Sequence, residues 1–204
     1  MTDTEHHTAL IEKLRQYDTP TICNAIEIAQ GGRGFDAFTK RTMHSSDPAG
    51  PPIVGFARTA RLRSNTPPTA PLDAVKALRM QYFEYMADEP RASIAVVEDL
   101  DDDAAQGAWW GEIHTAVHKG IGLCGALTNG LMRDLGDLEP GFPVIAGGVG
   151  PSHAFIHVVD FGQPIEVFGL KIAPGDLVHA DLHGAVVVPP TLYATLPAAI
   201  DKLL

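Results

Sequence analysis

Leu123-Cys124-Gly125-Ala126-Leu127-Thr128-Asn129-Gly130-Leu131-Met132-Arg133-Asp134 is the stretch on which the reading of this chain turns. Residues 123–127 form an apolar run of strand length, and Asn129-Gly130 is a turn pair leading into what reads as a short helix. Just upstream, residues 109–119 carry helical spacing, with Ile113 and Val117 marking the buried face. Gly120-Ile121-Gly122-Leu123-Cys124-Gly125 matches G-x-G-x-x-G. A dinucleotide fingerprint follows a strand and opens a helix, whereas here a helix precedes and a strand follows, so the nucleotide reading is rejected.

Outward from this stretch the pattern divides. Upstream, Leu10, Ile11, Leu14 and Tyr17 recur at helical spacing. Asp18-Thr19-Pro20 reads as an N-cap with proline at the helix start, Ile22, Ile26 and Ala29 as a buried stripe, and Gly31-Gly32 as the stop. Residues 53–62 read as a strand, residues 64–71 as a proline-rich loop, and Leu72, Val75, Leu78, Tyr82 and Met86 mark a longer helix. Residues 93–97 read as a buried strand running into an acidic loop, 98–103. Downstream of Pro143, short β segments are expected at 144–146, 155–159, 165–168, 177–180 and 185–188, with a closing helix over 191–204. No internal repeat or dividing linker is evident, so residues 1–204 are read as one α+β domain.

Composition narrows the function. The chain has 204 residues, 45% of them apolar and 20% charged, as expected for an ordinary globular core. The formal net charge is −10 and the 15 Lys and Arg are scattered, which argues against nucleic acid or anionic membrane as partners. Two cysteines, Cys23 and Cys124, are too few for a disulfide framework. The polar, acidic stretch 1–7 does not read as a secretory signal, and no apolar run nears the ~18 residues of a membrane span, so a cytoplasmic protein is expected.

Several motifs offer metal or anion sites and mostly fail on geometry. Asp99, Asp101 and Asp103 begin like a calcium loop, but position six is Ala104 and position twelve Trp110, leaving a solvated acidic loop. His153/His157 and His179/His183 lie in β-like segments, where four residues span about 13 Å, too far to share one metal. His114/His118 lie on a helix and read as an exposed face. Gly147-Gly148-Val149-Gly150-Pro151 reads either as an anion cradle or as a tight connection between strands.

The segment that carries chemistry is Glu112, then twenty residues, then Arg133-Asp134. Two carboxylates brought together and completed by water suit Mg²⁺ or Mn²⁺, and the Arg133 fork suits a substrate carboxylate. The alternative is an Arg and an Asp on a helix surface with an unrelated Glu upstream.

Gly111-Glu112, the twenty-residue gap, Gly130-x-x-Arg133-Asp134, Phe142-Pro143-Val144, Pro151 and Pro174-Gly175-Asp176-Leu177-x-x-Ala180-Asp181-x-x-Gly184-x-x-x-Val188-Pro189 together resemble the RraA-like family. That family includes 4-hydroxy-4-methyl-2-oxoglutarate aldolases and regulators of ribonuclease activity, and many members carry a dimethylmenaquinone methyltransferase label. The resemblance is strongest over about residues 106–189. It implies a three-layer β/β/α fold of the swivelling phosphohistidine-domain type, assembled as a homotrimer or hexamer with sites at subunit interfaces. It implies a metal on Asp134 and Glu112, and a 2-oxo acid carboxylate on Arg133 with backbone amides near Trp109 and Trp110. The expected activity is oxaloacetate decarboxylation or pyruvate-releasing aldol cleavage, with Arg133 and Glu112 as catalytic groups. The base for the aldol cleavage is left among His44, His153 and a water on the cation. The alternative within the resemblance is a non-catalytic regulator whose acidic surface meets a basic partner. Two departures stand out: Asn129 replaces the usual Asp and was expected to remove a charge beside the metal, and Gly147 replaces a usual Arg.

Overall fold

A computed structural model describes residues 3–203. In chain order the helices are α1 (Asp3–Leu14), α2 (Thr19–Gln30), α3 (Leu72–Ala87), α4 (Glu112–Gly120) and α5 (Leu196–Asp201). The strands are β1 (His44–Ser45), β2 (Ile53–Arg63), β3 (Ser93–Asp99), β4 (Ala108–Trp110), β5 (Leu123–Thr128), β6 (Leu131–Met132) and β7 (Val144–Ala146). They continue as β8 (Gly148–Val149), β9 (His157–Phe161), β10 (Ile165–Val167), β11 (Leu170–Ile172), β12 (Leu177–Asp181) and β13 (Gly184–Val188).

The main sheet runs β1-β7-β5-β3-β2-β12-β13, with β9 also paired to β2. Its centre, β2-β3-β5-β7, is parallel, and its flanks are antiparallel. Parallel strands need crossovers that cover the sheet faces, which explains the continuous burial of β3. Alternation then sorts its side chains. Ala95 and Val97 face a cluster with Tyr82 of α3, Trp109 and Trp110, while Ile94 and Val96 face Ile165, Val167, Leu170 and Ile172 of the β10–β11 hairpin. A third cluster packs α1, α2 and α5 against β2, β12 and β13. The result is helices and a small parallel sheet, β4-β6-β8, on one face of the main sheet, and a β layer on the other.

The α2 start follows its sequence: Asp18 Oδ1 accepts the Thr21 amide at 2.9 Å, and Gly31 ends the helix at φ +80°. Other expectations need correction. Trp109 and Trp110 are strand, not helix, because Trp110 pairs in parallel with Met132. Leu131-Met132, expected to open a helix, is that partner strand, so Arg133 and Asp134 lie on a turn after it. The strand expected at 155–159 begins at His157, and the closing helix is broken into a 3-10 turn, Pro190–Leu192, and α5. Pro190 and Pro197 deny backbone donors there. Gly147–Pro151 resolves as the strand connection: the Gly147 and Gly150 amides donate to Gly130 and Met132 carbonyls and are spent in the ladder. No helix among the described residues is long and apolar enough to cross a membrane.

Candidate active site

The small sheet builds the site. β4 and β6 run parallel, and the Arg133 amide extends their ladder to the Trp110 carbonyl at 2.8 Å. Both chains then leave the sheet together, one into α4 at Glu112 and the other into the turn at Asp134. Asp134 Oδ2 accepts the Glu112 amide at 3.3 Å, which places a carboxylate at the positive end of α4. Only glycine permits this approach at position 111, where a Cβ would lie 2.5 Å from Asp134 Oδ2 and 3.1 Å from Arg133 Cγ. Asp134 itself adopts φ +56°, a left-handed conformation that aspartate tolerates better than most residues but that still has a cost.

Glu112, Arg133 and Asp134 are therefore brought together. The Arg133 side chain is 30% exposed, and its Nε lies 3.7 Å from Asp134 Oδ2, beyond hydrogen-bond distance. That Nε is buried and has no hydrogen-bond partner among the described residues. The donor is thus held ready without being consumed by the fold. Among the described residues no group of three or more His, Cys, Asp or Glu is placed to hold a metal. The chain offers two carboxylates, Glu112 and Asp134, at this exposed junction. That donor set fits Mg²⁺, which keeps several waters and needs only one or two carboxylates.

The tryptophans do not line the site with their rings. Trp109 and Trp110 are 4% and 0% exposed, packed beneath α4. The outward face of α4 is also reversed from expectation: Ile113 is 68% exposed and Val117 is exposed, while His118 is fully buried. Tyr82 lies 2.6 Å from His118 Nε2, and His118 Nδ1 lies 2.6 Å from the His114 carbonyl. With Nδ1 donating to the carbonyl, Nε2 accepts the tyrosine hydroxyl, and the ring is neutral. Burial pushes the His118 pKa down to about 4, and burial with the neighbouring His118 pushes His114 down to about 3. Three aromatic rings, Trp109, Tyr82 and Phe142, close over this pair. The i, i+4 histidine spacing was the available signal, but the hydrophobic neighbours pointed it the wrong way.

Asn129 also changes meaning. Its side chain is 6% exposed and makes no hydrogen bond to Glu112 or Asp134. Instead Oδ1 accepts the Asp99 amide at 2.7 Å, and Nδ2 donates to the Asp99 carbonyl at 2.9 Å and to Asp102 Oδ1 at 3.3 Å. It clamps the start of the acidic loop to the end of β5. That loop is not simply solvated. Asp99 is 1% exposed, Asp101 accepts the Ser64 and Asn65 amides, and Arg41 pairs with Asp102 and Asp103. His44 and His153 are exposed, and neither is hydrogen-bonded or ion-paired to the Glu112–Arg133–Asp134 junction.

A profile of the RraA-like family, described as Aldolase/RraA, matches residues 19–187. A protein of Halalkalibacterium halodurans named "Putative 4-hydroxy-4-methyl-2-oxoglutarate aldolase" is 26% identical over 184 residues, 89% of this chain and 78% of its own length. Among solved structures, Streptomyces coelicolor RraAS2, described as an unusual member of the RNase ES inhibitor RraA protein family, superposes with a TM-score of 0.72 at 23% identity. The match covers 96% of this chain and 91% of that one. A chain solved among novel cellulases from gut-associated microbes gives a TM-score of 0.77 at 19% identity, covering 100% of this chain and 85% of its own. At these identities the two structures establish the shared fold alone. With the profile spanning most of the chain, from α2 to the last strand, this protein belongs to the RraA-like family.

Proposed function

We propose that the protein is a divalent-metal-dependent lyase that cleaves small 2-oxo acids and releases pyruvate. The observation that carries this reading is the junction at which β4 and β6 bring Glu112 and Asp134 together beside an Arg133 Nε that no protein group satisfies. The name of the H. halodurans relative supports the aldolase side of it.

In this reading Glu112 and Asp134 hold Mg²⁺ or Mn²⁺, partly through water. The cation, when bound, supplies Lewis-acid stabilisation of the negative charge that develops as the C3–C4 bond breaks. Arg133 grips the substrate carboxylate with two parallel hydrogen bonds and fixes its direction relative to the carboxylate pair. In oxaloacetate the C3–C4 electron pair stays on C3 as carbon dioxide leaves, and a proton at C3 completes pyruvate. No base is needed for that cleavage. A 4-hydroxy substrate additionally requires removal of the C4 hydroxyl proton, and neither His44 nor His153 is tied to the junction. Decarboxylation is therefore the activity that the chain's own residues support most simply.

The site lies on an exposed face, and apolar side chains flank it: Ile113 at 68%, Leu135 at 51% and Val117 at 37% exposure. A second copy of the chain covering them would enclose the substrate, giving a homotrimer or hexamer. The alternative reading, a protein-binding regulator using residues 98–103, draws on the fold shared with RraAS2. Its support is weaker because those carboxylates are largely buried or already paired within the chain. Pyruvate release from oxaloacetate and from 4-hydroxy-4-methyl-2-oxoglutarate, measured side by side with Mg²⁺, tests the proposal. Turnover of at least the first is expected, and no pyruvate from either would sink it.

A further inference from the structure

We infer that Thr115 is a positioning residue that sets the spacing of the Glu112 and Asp134 carboxylates; the inference rests on the functional reading above. Thr115 lies in the first turn of α4 and is fully buried. Its Oγ1 lies 3.0 Å from the carbonyls of both Gly111 and Glu112, the two residues at the site. The same oxygen accepts the Glu139 amide at 3.0 Å. One hydroxyl thus donates to the start of the helix that carries Glu112 and accepts from the end of the loop that begins at Asp134.

That loop is short and held at both ends. At its start the Arg133 amide bonds to the Trp110 carbonyl and the Glu112 amide to Asp134 Oδ2. Within it the Asp137 amide folds back on the Asp134 carbonyl at 2.8 Å. At its end the buried tie is the Thr115–Glu139 bond, supplemented by an exposed Lys119–Glu139 ion pair at 2.8 Å. An exposed pair of that kind constrains little. Asp134 sits between these ties at φ +56°, a conformation that persists only where its surroundings impose it. Freeing the Glu139 end gives the backbone room to return Asp134 to a common conformation. Its carboxylate then swings away from the Glu112 amide, and the two carboxylates no longer address one cation. Valine at position 115 keeps the shape and loses both functions of the hydroxyl. Serine keeps both.

The test uses the full chain and Mn²⁺ alone as probe, titrated calorimetrically into wild type, Thr115→Val and Thr115→Ser, with thermal melts showing that each is folded. Mn²⁺ binding to Thr115→Val is expected to weaken about tenfold, the scale of one net hydrogen bond, with Thr115→Ser close to wild type. Hydrogen exchange at the Glu139 amide of the wild type reads the tie directly, without any variant, and slow exchange is expected. Equal affinity in the valine variant, an equally weakened serine variant, or a fast-exchanging Glu139 amide would each overturn the role of Thr115. Absence of Mn²⁺ binding by the wild type is a different result: it removes the metal reading itself, and this inference with it.

Discussion

Replacing Asn129 with Asp, the residue usual at this position in the family the chain resembles, should destabilise this protein. The reason lies in the donor inventory. Nδ2 of Asn129 gives one hydrogen bond to the Asp99 carbonyl and one to Asp102 Oδ1, while its Oδ1 accepts the Asp99 amide. Aspartate can repeat the third contact but not the first two, because an ionised carboxylate has no donor. Its second oxygen would face a carbonyl and another carboxylate at a site only 6% exposed. Two lost bonds contribute about 2 kcal/mol, and an unsatisfied buried acceptor adds roughly 1–3 kcal/mol. The expected total is about 3–4 kcal/mol at neutral pH. For a chain of this size that corresponds to a fall in melting temperature of roughly 10 °C. Protonation restores one donor, so the gap between variant and wild type should narrow as pH falls. Melts of Asn129→Asp and wild type at neutral and mildly acidic pH, followed by circular dichroism, measure both effects. A variant that melts with the wild type at neutral pH would refute the clamp and restore Asn129 as a candidate for the metal's surroundings.

Arg133→Lys should raise KM for a 2-oxo acid about tenfold or more, because lysine keeps the charge but loses the planar two-point grip; near-normal steady-state kinetics would remove Arg133 from the site. His118 makes stability depend on pH. Its folded pKa of about 4 lies below the reference value of 6.5, so the unfolded chain takes up the proton first as pH falls. The contribution is complete above about pH 6.5 and is lost progressively down to about pH 4, amounting to about 3 kcal/mol. Urea unfolding across that range should show the slope, and His118→Gln should flatten it; an unchanged slope in the variant would assign the dependence elsewhere. Light scattering over a dilution series should find a threefold-symmetric mass, and Ile113→Asp with Leu135→Asp should lower it. An active wild-type monomer would show that one chain completes its own site.

The sequence was most informative where local chemistry is obligatory. The Asp18 cap, Gly31 and the long apolar strands β2 and β3 fall where their residues place them. The carboxylate–arginine–carboxylate spacing was legible as a motif, and β4 and β6 bring its members together. What failed was face and partner. Ile113 and Val117 looked like a buried stripe because hydrophobic periodicity cannot tell a core face from one left for another molecule. His118 looked exposed because a histidine's burial depends on Tyr82, which is distant in sequence. Leu131-Met132 looked helical because a two-residue strand has no periodicity of its own and exists only through its pairing with β4 and β8. Asn129 looked like a site residue because its three hydrogen-bond partners lie in a loop thirty positions away.

The central claim is that a divalent cation held by Glu112 and Asp134 drives 2-oxo acid cleavage. Pyruvate formation from oxaloacetate tests it most directly, corrected for the rate with Mg²⁺ and no protein. The wild type should turn over with Mg²⁺, lose at least about a hundredfold in rate after thorough chelation, and recover when Mg²⁺ is restored, since the site holds no lysine for Schiff-base chemistry. Asp134→Ala should stay inactive even in excess Mg²⁺. Undiminished turnover in chelator, or a fully active Asp134→Ala, would contradict the account.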